Sequence, residues 1–134
     1  MSSLNSLISR VKELQAYTLD VDITPYCENV PEGEREILSF RQPGVNELFG
    51  VLAELDAYRK REPDIAPDTA FNVAMMALCH VAPEIEPNTF GVGELYLQLA
   101  LQKEPLAFLH IQQEFRAAFP WINVWLANIR EKKD

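Results

Sequence analysis

The chain has 134 residues, 48% of them hydrophobic and 24% charged, with twelve Lys and Arg against twenty Asp and Glu for a net charge of −8. This length fits a single domain spanning 1–134 that buries a core without staples, and the apolar share excludes wholesale disorder. The acidic balance disfavours nucleic acid as a partner, because phosphate binding needs clustered Lys and Arg, and the interspersed basic residues make the chain a poor DNA mimic.

Leu4, Leu7, Ile8, Val11 and Leu14 recur at the 3–4 spacing of a helix of about three turns, with Ser3 as its cap. Residues 17–23 then alternate apolar and polar, which predicts a half-buried strand. Residues 24–34 hold Pro25, Pro31, Asn29 and Gly33 and form a loop. Residues 36–41 predict a second strand that pairs back as a hairpin with a long connection. Pro43, Pro67, Pro105 and Pro120 each open an apolar-periodic run, as proline does at the first helical position. The run from Pro43 to about Arg61 places Val45, Leu48, Phe49, Leu52, Leu55 and Tyr58 on one face, with Arg59, Lys60 and Arg61 at its end, where cations suit the helix dipole. A helix over 67–81 follows, with Phe71, Ala74, Met75 and Leu78 as its apolar face. Residues 89–102 alternate Leu with other residues, but Leu, Ala and Gln favour a buried helix there. The next helix, over 105–118, turns Leu106, Leu109 and Phe115 inward. The last runs from Pro120 to Arg130 and carries a stripe of Trp121, Val124, Trp125 and Ile129. The predicted fold is mostly α with a short N-terminal β-hairpin, an α+β chain of about five to six helices in one compact domain.

No catalytic, metal or cofactor constellation emerges. Cys79 and His80 are adjacent on a helix, so their side chains diverge by about 100° and do not form a nucleophile–base pair. Cys27, Cys79, His80 and His110 are scattered singly, unlike metal ligands at fixed spacing. The two cysteines form neither a CxxC pair nor a disulfide framework, which fits a reducing, cytoplasmic setting. The start of the chain lacks a signal-type apolar run, and the longest apolar stretch, 73–82, is far short of a membrane span. Glu32, Glu34 and Glu36, and Glu84 and Glu86, flank prolines in apparent loops and read as solvated surface. Gly91-Val92-Gly93 is too short for a phosphate loop. The expectation is therefore a protein that binds other proteins and is not an enzyme. Its candidate partner-binding residues are Phe119, Trp121, Trp125 and Met76, of types enriched at interfaces or in adaptable packing. For each, ordinary core packing is the competing role.

The order of strand, loop, strand, amphipathic helix, charged break and apolar helix resembles the lambda-type phage tail assembly chaperones. The motif that carries the likeness is Ala70-Phe71-Asn72-Val73-Ala74-Met75, followed by His80 and Pro83. The resemblance covers about half the chain, roughly 17–83. The leading helix and the Trp-bearing last helix depart from it. It implies a chaperone of phage or prophage virion assembly in the host cytoplasm. Such a protein binds the tape measure protein, many are also made in a longer, frameshifted form whose extension recruits the tail tube protein, and homo-oligomers are expected. The alternative is a small acidic adaptor or regulatory protein that binds one host or phage protein.

Overall fold

The computed structural model describes residues 3–85, 91–103 and 105–133. Helix α1 (Ser3–Ala16) leads, and the chain turns at Tyr17 into strand β1 (Thr18–Asp22). Ser3 is itself helical, so it does not cap the helix. Strand β1 pairs antiparallel with β2 (Ile37–Arg41), setting Leu19 opposite Phe40 and Val21 opposite Leu38. These four side chains are buried while Thr18 and Asp20 face water, which is the alternation of a strand with one covered side. The expected hairpin is therefore present.

Its long connection is held by local bonds. A 3-10 turn (Thr24–Tyr26) follows β1. Asn29 and Gly33 then take left-handed conformations at φ 61° and 85°, which Asn tolerates and Gly adopts without strain. The Asp22 carboxylate accepts from the Thr24 N–H at 2.9 Å and from Arg35 at 2.5 Å. Thr24 first, and then Arg35, hold its pKa at about 2.

A third strand was not foreseen. The helix expected over 67–81 is α3 (Pro67–Cys79), and the chain leaves it as strand β3 (His80–Ala82). Strand β3 lies on the other side of β2, with His80 opposite Phe40. Pro83 pushes Ala82 out of the helical region, and the edge of β2 offers those residues a ladder instead. Three residues are too few to show a period of two.

Helix α2 (Val45–Arg61) starts two residues later than expected. Pro43 is buried ahead of the helix, and the Gly44 N–H donates to Glu47 Oε1 at 2.9 Å. Glu47 also receives both terminal nitrogens of Arg41, at 2.8 and 2.6 Å. The last residue of β2 is thus clamped to the first turn of α2. Arg41 chiefly, with Gly44, lowers the Glu47 pKa to about 2.

Helix α3 is buried from Ala70 to Met76 and again at Cys79, the central helix that its composition predicts. Helix α4 (Val92–Gln98) widens into a π-helical segment, Leu99–Lys103. The start expected at 89 lies outside the described residues. Gly93 is where α4 meets α2: a Cβ there would stand 2.8 Å from the Tyr58 hydroxyl, and Arg61 pairs with Glu94 at 2.7 Å beside it. Helices α5 (Pro105–Ala118) and α6 (Trp121–Lys133) complete the chain, with Pro120 just ahead of α6. Six α-helices among the described residues and one small sheet make a mostly α, α+β fold.

The inward face of α5 differs from the expected one. Ala107, Phe108, Ile111 and Phe115 are buried, whereas Leu106 and Leu109 are 67% and 54% exposed. At 100° per residue both stripes have helical spacing, and the packing partners decide between them. Phe115 is common to both. The buried side chains form one contiguous cluster from β1 to α6. At its centre Phe40, with no exposed surface, touches the rings of His80, Tyr96 and Phe115 at centroid distances of 5.6 to 6.0 Å.

Two outcomes are expected. Phe108→Ala should destabilise the fold by about 3–5 kcal/mol, and Leu106→Lys by no more than about 0.5 kcal/mol, in urea melts. The reverse order would mean that α5 is rotated. Glu47 and Asp22 have folded pKa values below their ordinary 4.5 and 3.8. Their contribution is therefore complete above those values and is lost as pH falls toward about 2. Urea midpoints should accordingly drop across that window. Glu47→Gln should be less stable than the parent at neutral pH, and the gap should narrow in acid.

Candidate protein-binding surface

Of the four residues marked by sequence, two are interior. Met76 has no exposed surface and Phe119 has 1%, so neither offers area to a partner in this arrangement. Met76 sits on α3, which is surrounded on nearly every side. Phe119 stacks edge-on with Phe115 at 5.1 Å and with Tyr17 at 6.0 Å. Trp121 and Trp125 are half-buried at the edge of the core.

Trp125 organises a surface. Its ring lies on Phe71 at 6.3 Å, nearly parallel, and receives the edge of Phe49 at 5.2 Å. Phe71 in turn carries the Arg116 guanidinium at 5.6 Å from its ring centre. Phe49 is half exposed, as is Val45 one turn before it on α2, and Val124 is exposed on α6, about 100° round the helix from Trp125. Trp121, one turn earlier on α6, donates its indole N–H to Gln42 at 3.4 Å. The result is an apolar face on α2 and α6, with aromatic rings fixed from below and open above. Such pre-packed aromatics give contact area with little entropy to lose.

Sequence reading put Val45 and Phe49 on the apolar face of α2 and Val124 on the stripe of α6, and named none of the three as partner-binding. Helix α2 buries Leu48 and Val51, with Leu52, Leu55 and Tyr58 half-buried. Phe49 stands about 100° from Leu48 and falls off that stripe. The usable signal was breadth, since the apolar arc of α2 is wider than one docking face covers.

A second apolar surface is α1. None of its residues is buried, and Leu4, Leu7, Ile8 and Val11 are 62%, 57%, 44% and 46% exposed. Its C-terminal turn borders a cleft of about 290 Å³ formed by Val11, Leu14, Gln15 and Tyr17 with Arg41 to Gly44.

The residues with catalytic potential are held differently. Cys79 is fully buried, and burial pushes its thiol up to about 12, so it stays protonated at neutral pH and is no nucleophile. His80 engages both ring nitrogens. The Pro83 carbonyl, 2.5 Å from Nε2, can only accept, so Nε2 carries the proton. Nδ1 then accepts the Tyr96 hydroxyl at 2.7 Å. Burial pushes the Tyr96 pKa well up, which keeps that hydroxyl a donor. His110 instead packs on Tyr26 at 5.7 Å. Cys27 leans on the Ile23 carbonyl, and neither cysteine is in a disulfide. Among the described residues no three His, Cys, Asp or Glu are grouped to hold a metal ion, and no helix is long and apolar enough to cross a membrane.

One polar cleft of about 410 Å³ lies between α3, α5 and α6. Arg116 reaches across it, donating to Asn72 Oδ1 at 2.8 Å and to Asn123 Oδ1 at 2.5 Å. Asn72 is the one buried polar residue among those described, and this bond offsets its desolvation. The guanidinium thus ties three helices together.

Thiol chemistry checks the inert reading of Cys79. In native buffer a disulfide reagent should modify Cys27 only, and Cys79 should react after unfolding. Rapid native labelling of Cys79 would contradict its burial.

No protein-family model matches the chain, and neither a curated protein nor a solved structure matches it.

Proposed function

We propose that this chain is a non-enzymatic binding protein that covers an apolar helical segment of a partner protein. The observation that carries the reading is the Phe49–Trp125 pair, two large rings packed on each other and on Phe71 while their outer surfaces remain in contact with solvent. An amphipathic helix laid along α2 and α6 would bury Val45, Phe49 and Val124 against its own apolar stripe, the helix-in-groove mode. The net charge of −8 favours a partner helix flanked by Lys and Arg and repels acidic competitors.

The resemblance of 70–75, His80 and Pro83 to lambda-type tail assembly chaperones gives this chemistry a setting. The partner is then the tape measure protein, a long apolar helical chain kept from aggregating in the host cytoplasm until the tail tube protein assembles round it. The smaller reading, an acidic adaptor for one host or phage protein, uses the same face.

Co-expression with a tape measure protein, followed by pull-down, tests the proposal. The parent chain should be recovered in complex. Val45→Asp with Phe49→Asp should weaken capture at least about tenfold with the circular dichroism unchanged, the loss expected when an aromatic anchor is removed. A folded parent chain that forms no complex contradicts the tail-assembly reading. Capture that the double variant leaves intact contradicts the assigned surface.

A further inference from the structure

The polar cleft between α3, α5 and α6 holds a donor that the fold itself does not use. Asn72 is 3% exposed, and its Oδ1 accepts from Arg116 at 2.8 Å. That bond fixes the amide, because only its oxygen can accept, and it turns Nδ2 away from the guanidinium. Among the described residues nothing accepts from that nitrogen. No fully enclosed side-chain nitrogen or oxygen among them lacks a partner, so Nδ2 is reached from the cleft of which Asn72 forms a wall. Leaving half of a buried amide without hydrogen bonds is costly, and a group that accepts there recovers that cost.

The lining decides what kind of group fits. Asp68 stands one turn before Asn72 on α3 and lines the same cleft with an exposed carboxylate, an acceptor beside the donor. Asp68 and Arg116 give the described lining one charge of each sign, which favours a neutral ligand over an anion or a cation. A primary carboxamide matches this pair: its oxygen accepts from Asn72 and its nitrogen donates to Asp68. A second cleft, of about 280 Å³, shares Asp68, Asn72 and Gln112 and continues past Phe108 and Leu109, so the polar end runs on into an apolar one. We propose that this groove binds a peptide segment through the side chain of a glutamine, with an aliphatic residue beside it on Phe108 and Leu109. Glutamine is one methylene longer than asparagine, which suits a donor set as deep as Asn72. Neither cleft is lined by Val45, Phe49, Val124 or Trp125, so the site is separate from the aromatic face on α2 and α6.

Titration of the intact chain with blocked dipeptides tests this, followed through the side-chain NH2 signals of Asn72 in nitrogen-15 NMR. The probe is acetyl-Gln-Leu N-methylamide, which carries no other primary carboxamide. Its glutamate and methionine counterparts are the controls. The glutamine peptide should shift the Asn72 signals with a Kd of about 1 mM, the scale of a few contacts. Both controls should bind at least about tenfold more weakly, because neither offers Asp68 a donor. Asn72→Asp keeps an oxygen for Arg116 but loses the donor, and should weaken the glutamine peptide at least about tenfold with the circular dichroism unchanged. Asp68→Asn changes an exposed side chain and removes the negative charge, so it should narrow the preference for glutamine over glutamate at least about threefold. No shift at about 20 mM glutamine peptide, equal binding of the methionine peptide, full binding by Asn72→Asp, or an unchanged preference in Asp68→Asn overturns the proposal. Val45→Asp with Phe49→Asp lies outside the groove and should bind the glutamine peptide as the parent chain does, which separates this result from the test of partner capture.

Discussion

The ring of Phe40 is where the elements of this chain converge. It sits in the middle strand, and its neighbours come from β3 through His80, from α4 through Tyr96 and from α5 through Phe115. The rings of His80 and Phe115 meet Phe40 edge to face and that of Tyr96 is tilted to it, so one side chain touches β3 and two helices from the middle of the sheet. The polar half of the same cluster is closed by Tyr96 and His80, whose hydrogen bonds end on the Pro83 carbonyl. Burying a hydroxyl and an imidazole is costly unless each is satisfied, and here each is. His80 is thereby held between Tyr96 and Pro83, and Cys79 beside it in sequence is buried.

Once this core is complete, some apolar surface is left over. The face on α2 and α6 is anchored to the core through Trp125 and Phe71, yet Phe49 and Val45 remain half in water. The apolar side of α1 lies outside the core altogether. Surfaces of this kind cost solubility when uncovered, and an acidic exterior offsets that cost by repulsion between copies. The two surfaces also differ in kind. One is aromatic and pre-packed on the core through Trp125 and Phe71. The other is aliphatic, on a helix with no buried residue.

Much of this architecture was legible from residue order because local pattern and tertiary role agree there. The alternation at Leu19 and Val21 fixed β1 and its buried side. The run from Ala70 to Met76, apolar but for Asn72, marked a helix surrounded by others, and Pro67 marked its start. The pattern was silent where two answers shared one period. Leu106 and Leu109 have the same helical spacing as Phe108 and Ile111, and only contact with the core chooses between them. Strand β3 was invisible because three residues cannot display a period. The candidate surface was half legible. Trp121 and Trp125 are half-buried there, but Met76 and Phe119 are interior, and Phe49 was grouped with Leu48 on one apolar face because helical spacing alone does not show where a core ends.

The central claim is that the buried core is complete without α1, whose apolar side is exposed in the single chain. Amide hydrogen exchange on dilute protein tests this most directly. Amides of β2 and α3 should exchange only through global unfolding, while those of α1 should open locally with little free energy. Protection of α1 equal to that of α3 in dilute, monomeric protein would contradict the account, because the helix would then be part of the core.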